Sequence, residues 1–505
     1  MSIFHTIATI FTLFFRILFL FIITLCDIIL HPRIGAKRPS LPSRVAVIGG
    51  GIAGASAAYS LRASGVSVDL YEASDHVGGN AKTHTWSLDG VITGLSVLAW
   101  PKAYFRNYSA LLQAFNVPVT AVSLPFYVAR ADGKSFAHGE PKLGLSSIYA
   151  LEISRWKHMV SHVRAVNNFL GRRDGGPMPS LYLVSFFNPF NVIPLRFLSR
   201  LYGCGSTQFW DDLIVPLYSS SFLTTELDGI PSVIVPIIYD MIPVDASSSV
   251  KMESWSGREG SALVFEKLLD GVRVFSGSPV ELVEQRYSNG QWAVHHSNGS
   301  SDCTYDSIIF ACGARATADA LRGAPLDCFP TASLLYGISY CSGRAFDNGI
   351  VHSHAKQQFP VHLHEKLLHK FANYIVAHNE PRRYENTFIL SSWVPSASST
   401  NIPRLVTYDA RDPDSLSLHS EGNVINKYNH PQLSLCNMTS ALMLRLVQGR
   451  RGLYFCGSYA TPGNGHDLSL CSGLAVACAL GAAYPFAKNA EAAADFSRLR
   501  RLMGL

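Results

Sequence analysis

The chain has 505 residues, of which 48% are hydrophobic and 15% charged, so it can build a large core and is not an intrinsically disordered chain. The length predicts about two to four packing units. The formal net charge of +6 is small, and no basic run alternates with aromatic residues, which gives little support to nucleic-acid binding. Ten cysteines without a C-x-x-C pair argue against a zinc or dithiol site, so no metal is predicted.

The N-terminal segment, residues 6–30, is almost wholly apolar and is interrupted only by Arg16 and Asp27. About 20 apolar residues suffice to cross a bilayer, so residues 1–40 are predicted to be a membrane anchor with a basic flank. A cleaved signal peptide and a surface-lying helix are the alternatives. The four basic residues that follow the segment predict a single-pass protein of the endoplasmic reticulum whose body faces the cytoplasm.

A glycine-rich turn follows the first apolar strand of the body. The run Val45–Ile48 is typical of a buried parallel strand, and it leads directly into the turn. In a dinucleotide fingerprint Gly49 permits the tight turn, Gly51 leaves room for a pyrophosphate, and Gly54 lets the next helix approach the sheet. This order of strand, glycine turn and helix predicts a dinucleotide-binding unit.

The helix after the turn is predicted over residues 52–64, and the backbone amides of Ile52 and Ala53 would contribute to an anion site at its N-terminus. A second strand is predicted over residues 66–71. It ends at Glu72, about 20 positions beyond the glycines, where an acid binds the ribose hydroxyls. No second unit of this kind is found in the sequence, so a separate NADPH domain is not expected.

Three further stretches accompany this unit. Gly78 and Gly79 follow Glu72 closely, and residues 272–321 have short strands and a returning strand, 306–311, typical of a small inserted sheet. Near the end of the chain, a predicted strand over residues 451–458 leads through glycines to a small-residue helix over residues 468–486. The N-terminus of that helix would stabilise negative charge on a bound ring.

With these motifs the chain resembles the superfamily of FAD-dependent amine oxidases and phytoene desaturases. It is most similar to a poorly characterised branch of predicted NAD/FAD-binding oxidoreductases, whose C-terminal motif is matched by the run from His466 to Gly473. The resemblance implies an α/β fold, in which a Rossmann-type FAD-binding domain accompanies a discontinuous α+β substrate domain. It implies FAD as the cofactor; a plain NAD dehydrogenase is the alternative.

The resemblance also implies the cofactor contacts. They fall on Gly49, Gly51, Ile52, Ala53, Gly54, Glu72, Gly78, Gly79, Val280, Gly457, Ser458, Asp467 and Leu468. Four positions depart from the family pattern: Ser458 replaces an acid, Asp467 a glutamate, Leu468 an aspartate and Asn80 an arginine. These departures make true amine oxidation a less favoured reaction.

The predicted FAD-binding domain is discontinuous. It comprises residues 41–100, 255–325 and 445–490, and the substrate domain comprises residues 101–254 and 326–444. Residues 491–505 are predicted to be a C-terminal helix.

His466 is the first candidate for a catalytic base, because it precedes the helix predicted to face the flavin. Hydrogen bonding to the flavin or to backbone is the alternative role. His84 is a weaker candidate, and Asp467 is interpreted as the N-cap of its helix rather than as an acid catalyst. Cys456 and Cys471 lie in the same motif, where a covalent flavin thioether and buried structural thiols are both open.

The predicted function is oxidation or dehydrogenation of a hydrophobic small molecule in lipid or natural-product biosynthesis. Oxygen or a quinone-like molecule would accept the electrons, since no NADPH domain is expected. Two alternatives remain open: a flavin-dependent isomerase that moves a double bond, and a non-catalytic flavin-binding membrane protein. The membrane, through the N-terminal helix, and the hydrophobic substrate are the predicted partners.

Overall fold

The computed structural model describes residues 41–505 with internal gaps. The gaps are 87–89, 174–187, 223, 248–249, 257–259, 287–289, 301–302, 326–327, 342–347, 353–369, 378–383, 394–403, 410–422, 428–430, 435–440, 462 and 464. The predicted membrane anchor, residues 1–40, lies outside the described residues. Within them, no helix combines the length and the apolar character that a bilayer crossing requires.

The described strands form five sheets. In chain order the strands are β1 Arg44–Ile48, β2 Ser67–Tyr71, β3 Thr83–Thr85, β4 Ile92–Gly94, β5 Ala99–Trp100, β6 Val119–Leu124, β7 Phe126–Arg130, β8 Ser135–Ala137, β9 Val250–Trp255, β10 Arg273–Phe275, β11 Val280–Gln285, β12 Trp292–His296, β13 Gly299–Ser300, β14 Ser307–Phe310, β15 Asn348–His352, β16 Asn373–Ala377, β17 Tyr384–Ile389, β18 Leu405–Asp409, β19 Asn423–Lys427 and β20 Leu453–Phe455.

The described α-helices vary from single turns to 24 residues. They are α1 Ile52–Ala63, α2 Arg106–Ala114, α3 Gly144–Ile148, α4 Ala150–Arg173, α5 Leu195–Leu201, α6 Thr207–Phe209, α7 Val215–Phe222, α8 Val235–Met241, α9 Ser261–Leu269, α10 Ala314–Ala320, α11 Phe329–Cys341, α12 Leu390–Trp393, α13 His466–Ala479 and α14 Ala490–Leu502. A π-helical turn, Trp210–Ile214, joins α6 to α7.

The central sheet is parallel and has the strand order β10-β2-β1-β14-β20. Val47 of β1 pairs with Leu70 on one side and with Ile309 on the other. Alternate residues of β1 enter two different hydrophobic clusters, so both faces of the sheet are covered. This explains why β1 reads as a continuous apolar run. The structure therefore confirms the predicted Rossmann-like α/β fold.

The small inserted sheet has three antiparallel strands, β11, β12 and β13. The prediction that the short strands of residues 272–321 belong to this sheet is wrong for Val274: its strand, β10, pairs in parallel with β2 and extends the central sheet. The returning strand β14 pairs with β1, as the resemblance implied.

A third sheet of seven strands, ordered β19-β15-β18-β17-β16-β7-β8, unites strands from distant parts of the chain. The residue types over 387–393 are typical of a strand, but the strand, β17, ends at Ile389, and α12 follows it. The amide of Leu390 donates to the carbonyl of Arg404, and the indole of Trp393 donates to the carbonyl of Ala372. These contacts turn the chain out of the sheet, which a β-rich sequence window does not reveal.

The helix predicted over residues 468–486 is α13, which starts at His466 and ends at Ala479. It ends early because Gly481 adopts a φ of +102°, a conformation that favours glycine and terminates helices. The C-terminal helix, predicted over residues 491–505, is α14, whose first turn is capped by the side chain of Asn489.

Candidate functional site

The first glycine turn is closed by two contacts that only glycine allows. Gly49 has a φ of +111°, and a Cβ there would lie 2.8 Å from the carbonyl carbon of Ala311. A Cβ on Gly54 would lie 1.9 Å from the carbonyl oxygen of Gly49. The turn is therefore packed against the end of β14 and against the first turn of α1, as the fingerprint predicts.

Gly51 is the open position of the turn. A Cβ added to Gly51 would meet only the Cα of Gly79, at 3.9 Å. Gly51 is the N-cap of α1, and among the described residues no side chain caps this helix end and no acid lies in its first turn. Ile52 and Ala53 are buried, so they offer a ligand their backbone rather than their side chains. The helix N-terminus is thus suited to an anion.

The second glycine pair packs directly on the first turn. Gly78 has a φ of +127° and its amide donates to the carbonyl of Gly50 over 3.0 Å. Gly79 has a φ of +58°, and a Cβ there would lie 3.1 Å from the Cα of Gly51. Both glycines are needed for the backbone of this loop to reach the turn.

Glu72 lies beside the turn. Its Oε2 accepts a hydrogen bond of 2.7 Å from the amide of Gly50, and its Oε1 accepts one of 2.8 Å from the amide of Ser74. A carboxylate accepts more than two hydrogen bonds, so Glu72 retains capacity for ligand hydroxyls. The amide of Ser278 donates to the carbonyl of Glu72 over 2.9 Å, which brings the start of β11, with half-buried Val280, to the same side of the site.

Helix α13 lies across α1. A Cβ on Gly473 would lie 2.0 Å from the carbonyl oxygen of Ala53, so the two backbones are in contact. The hydroxyl of Ser56 donates to the carbonyl of Leu470 over 3.0 Å, which joins positions 414 residues apart. The two ends of the predicted site are therefore one structural unit.

Gly457 and Ser458 precede α13. Gly457 has a φ of +108°, and its amide donates to the hydroxyl of Ser472 over 2.8 Å. Ser458 begins a short 3-10 helix and is half-buried. Leu468 is buried in the first turn of α13, so its side chain belongs to the core. Sequence reasoning did not assign a role to Ser472, which fixes the turn at Gly457.

Asp467 does not cap its own helix, and that interpretation is wrong. The N-cap of α13 is Gly465, and Oδ1 of Asp467 accepts a hydrogen bond of 2.6 Å from the amide of Tyr108, in the first turn of α2. Burial, together with the negative charge of nearby Asp495, raises the pKa of the Asp467 carboxyl to about 7, against the lowering effect of the backbone amides of Tyr108 and Asn107. Asp467 thus ties α13 to α2.

The two candidate histidines have different surroundings. His466 is half-buried at the first position of α13, and the ring of Tyr108 meets its ring edge to face with centroids 4.7 Å apart. His84 is half-buried on β3, and its ring lies edge to face with Trp86 at 5.0 Å. Burial lowers the pKa of His84. His466 lies at a helix end of the site, whereas His84 lies in the hairpin after the second glycine pair.

The cysteines of the C-terminal motif are buried. Burial raises the pKa of the thiols of Cys456 and Cys471 well above the usual range. A thiol held in its protonated form is a poor nucleophile, so these residues suit structural packing better than a flavin thioether.

These features fit FAD. The N-termini of α1 and α13 have no side-chain cap among the described residues, and both helix ends carry partial positive charge that favours a pyrophosphate and a reduced flavin. Gly51 leaves the surface open, and the carboxylate of Glu72 lies beside the turn. In the described part of the chain, no group of three metal-ligating side chains is found.

Comparison with known proteins gives a matching family model, described as an NAD(P)-binding Rossmann-like domain, over residues 47–115. An L-amino-acid oxidase of Pseudechis australis is 39% identical over 87 residues, which are 16% of this chain and 17% of the relative. A 4,4'-diaponeurosporene oxygenase of Staphylococcus aureus is 34% identical over 85 residues, 17% of each chain. The alignments thus cover only about a sixth of these relatives.

Solved structures share the fold over most of the chain. A redesigned putrescine oxidase superposes with a TM-score of 0.61 at 11% identity, covering 86% of this chain and 98% of the oxidase. A fatty acid isomerase that produces CLA, from P. acnes, superposes with a TM-score of 0.56 at 13% identity, covering 85% and 97%. The chain therefore has a dinucleotide-binding unit similar to that of these relatives, and its fold is the one seen in the putrescine oxidase and fatty acid isomerase structures.

Proposed function

We propose that the protein is an FAD-dependent oxidoreductase that oxidises or dehydrogenates a hydrophobic small molecule, as a tailoring step in lipid or natural-product biosynthesis. The observation that carries the proposal is the contact between Gly473 and Ala53, which brings the N-terminal halves of α13 and α1 into one site. A bound FAD supplies hydride acceptance at its N5 atom.

The residues of the chain hold and orient the cofactor in this proposal. The amides at the start of α1 bind the pyrophosphate, and Glu72 accepts hydrogen bonds from ribose hydroxyls. The backbone near Val280 contacts the adenine, and Gly457 and Ser458 contact the ribityl chain. The amides at the start of α13, including those of Asp467 and Leu468, stabilise negative charge on the ring.

The substrate side is proposed to be the junction of residues 95–98 with β18 of the seven-stranded sheet and with β9. The hydroxyl of Tyr408 donates to the carbonyl of Leu95 over 2.9 Å, and the indole of Trp255 donates to the carbonyl of Val97 over 3.2 Å. Val97 has a φ of +55°, a costly conformation for a β-branched residue that is commonest at functional sites. Aromatic surroundings of this kind suit an apolar substrate.

His466 is proposed as the base that accepts a proton from the substrate. A base within reach of the reacting bond contributes about 10²–10⁴-fold to the rate. Tyr108 fixes the orientation of the His466 ring, and Asp467 fixes Tyr108 through its amide. Hydrogen bonding of His466 to the ring or to backbone is the competing role.

Oxygen or a quinone-like molecule is the proposed electron acceptor, because the sequence has one dinucleotide fingerprint. The proposal includes single-pass attachment to the endoplasmic reticulum membrane through residues 1–40, with the body in the cytoplasm. A hydrophobic substrate would then reach the site from the lipid.

A double-bond isomerase is the second candidate function. A fatty acid isomerase has the same fold, and isomerisation needs no external electron acceptor. Substrate and product then have equal mass, whereas oxidation removes two hydrogens.

The test is an anaerobic titration of the purified protein with hydrophobic candidate substrates, followed by product mass spectrometry. Oxidation predicts loss of the flavin absorbance and a product lighter by two hydrogens. A product of unchanged mass would support the isomerase. Flavin that stays oxidised with every substrate, without any product, would contradict both and support a non-catalytic flavin-binding protein.

A further inference from the structure

Helix α4 carries an exposed stripe along its whole described length. Leu151, Arg155, His158, His162 and Phe169 are exposed and follow one another at spacings of three, four or seven residues. These spacings place all five on one side of an α-helix. The opposite side, which includes Trp156, Val160 and Val163, is buried in the main hydrophobic cluster.

The end of α5 lies beside this stripe. The hydroxyl of Tyr202 lies 2.8 Å from Nδ1 of His162, and the guanidinium of Arg155 donates to the carbonyl of Gly203 over 3.0 Å. We call the α4 face the exposed stripe of α4 together with the exposed residues of the segment that directly precedes α4 in the chain and of the end of α5: Lys142, Leu143, Ile148, Leu151, Arg155, His158, His162, Phe169, Arg200 and Leu201.

The α4 face exposes large apolar side chains. The exposed fractions are 62% for Leu143, 54% for Ile148, 60% for Leu151, 57% for Phe169 and 67% for Leu201. Several exposed apolar side chains on one surface of a folded protein mark a contact with a partner or a membrane.

The charges on the α4 face are basic. Lys142, Arg155 and Arg200 are exposed, and none of the residues that define the face is acidic. Three acids near α4 form ion pairs, Asp240 with Arg164, Asp245 with Lys157 and Glu140 with Lys370, and a fourth, Glu152, is half-buried. Apolar side chains surrounded by cations match the boundary between anionic headgroups and acyl chains.

We propose that the α4 face docks on the anionic surface of a phospholipid bilayer, with Leu151, Phe169 and Leu201 in the headgroup region. This contact is separate from the N-terminal anchor and does not depend on the flavin chemistry. It would orient the body relative to the bilayer. The α4 face could instead be covered by a second copy of the chain or by another segment of the same chain, and the test distinguishes these two occupants from the bilayer.

The test uses the full chain, reconstituted at one copy per nanodisc of phosphatidylcholine with or without phosphatidylserine. An environment-sensitive nitrobenzoxadiazole label is attached to the new cysteine in Leu151→Cys and in Phe169→Cys. The emission of the wild-type chain, labelled in the same way at its native cysteines, is subtracted from that of each variant. Leu446→Cys, at a leucine that is 45% exposed outside the α4 face, is the matched control. Circular dichroism melting checks that each labelled variant is folded.

The proposal predicts a blue shift of the emission at positions 151 and 169 in anionic discs, smaller in neutral discs and absent at position 446. Arg155→Glu in the Leu151→Cys chain should reduce the shift in anionic discs. Emission at 151 and 169 equal to that at 446 would overturn the proposal. A blue shift that is independent of lipid charge and of Arg155→Glu would overturn it in favour of another segment of the chain, and a shift seen only with two copies per disc would favour self-association.

Discussion

Gly473 of α13 lies against the backbone of Ala53 of α1, so closely that a Cβ on Gly473 would fall 2.0 Å from the carbonyl oxygen of Ala53. The same Cβ would lie 2.4 Å from the hydroxyl of Ser56. The position of α13 over the glycine turn therefore depends on the missing side chain.

Gly473→Ala should separate the two helices. Because the obstructing atoms belong to backbone, we expect a loss of about 1–3 kcal/mol in the free energy of unfolding and weaker FAD retention. Urea unfolding and the flavin-to-protein absorbance ratio measure both. Gly337→Ala is the matched control, since a Cβ at that position in α11 meets no atom within 4 Å. Equal behaviour of the two variants would contradict the role of the contact.

Gly51→Ala should separate folding from cofactor binding. The φ of Gly51 is −72°, which alanine adopts readily, and the added methyl group meets protein only at 3.9 Å. The cofactor-free variant should therefore melt at the wild-type temperature, whereas its FAD affinity should fall because the methyl group occupies the space of the pyrophosphate. Calorimetric titration with FAD measures the affinity. Wild-type affinity in this variant would show that the cofactor does not cross Gly51.

Glu72→Gln should weaken FAD binding without unfolding the protein. The amide oxygen replaces one carboxylate acceptor, while the hydrogen bonds from Gly50 and Ser74 require two. Hydrogen bonds to charged groups contribute about 1.5–3 kcal/mol, so the Kd for FAD should rise roughly tenfold or more. The exposed Glu281, on β11, provides the control variant Glu281→Gln. The prediction fails if both variants bind FAD equally well.

Asp467→Asn should remove part of the pH dependence of stability. The pKa of Asp467 is raised to about 7 in the folded protein, above the unfolded value of 3.8. Between these two pKa values the folded state keeps a proton that the unfolded state has lost. The free energy of unfolding therefore falls as the pH rises from about 4 to 7 and is constant above that. The difference in the free energy of unfolding between the variant and wild type should therefore be more favourable to the variant at pH 8 than at pH 5. The change in this difference should be at most a few kcal/mol.

Urea unfolding at both pH values measures this difference for Asp467→Asn. Asp270→Asn is the control, since the Asp270 side chain is 82% exposed. If Asp467→Asn and wild type differ by the same amount at both pH values, Asp467 does not titrate between them.

His466→Gln should lower the rate of flavin reduction by about 10²–10⁴-fold if His466 is the base. FAD content should be unchanged, because the amides at the start of α13 remain. His84→Gln, in the hairpin after the second glycine pair, should affect the rate much less. Anaerobic stopped-flow spectroscopy measures both rates; a wild-type rate in His466→Gln would leave hydrogen bonding as its role.

The sequence predicted the parts of the fold whose signals are local. The run Val45–Ile48, the glycines after it and the alanine-rich helix lie within one short window, and the structure confirms β1 and α1. Sequence alone located α13 but not its contact with α1, because Gly473 packs against the backbone of Ala53 and the supporting hydrogen bond from Ser56 to Leu470 joins positions 414 residues apart.

Two wrong predictions, for Asp467 and for the end of β17, concern residues whose contact partners lie far away in the sequence. Asp467 has the sequence position of a cap, yet its carboxylate reaches the first turn of α2. Trp393 ends a β-rich window, but its indole bonds to Ala372 and turns the chain into α12. No local propensity encodes either partner. The cofactor residues and the domain limits stay predictions, and the N-terminal anchor lies outside the described residues.

The identity of the bound nucleotide tests the central claim most directly. The full chain is purified in mild detergent, its visible spectrum is recorded, and the molecule released by denaturation is identified by mass spectrometry. The account predicts a yellow protein that releases FAD in a ratio close to one per chain. A colourless protein that takes up no FAD, or one that releases a nicotinamide dinucleotide instead, would contradict it.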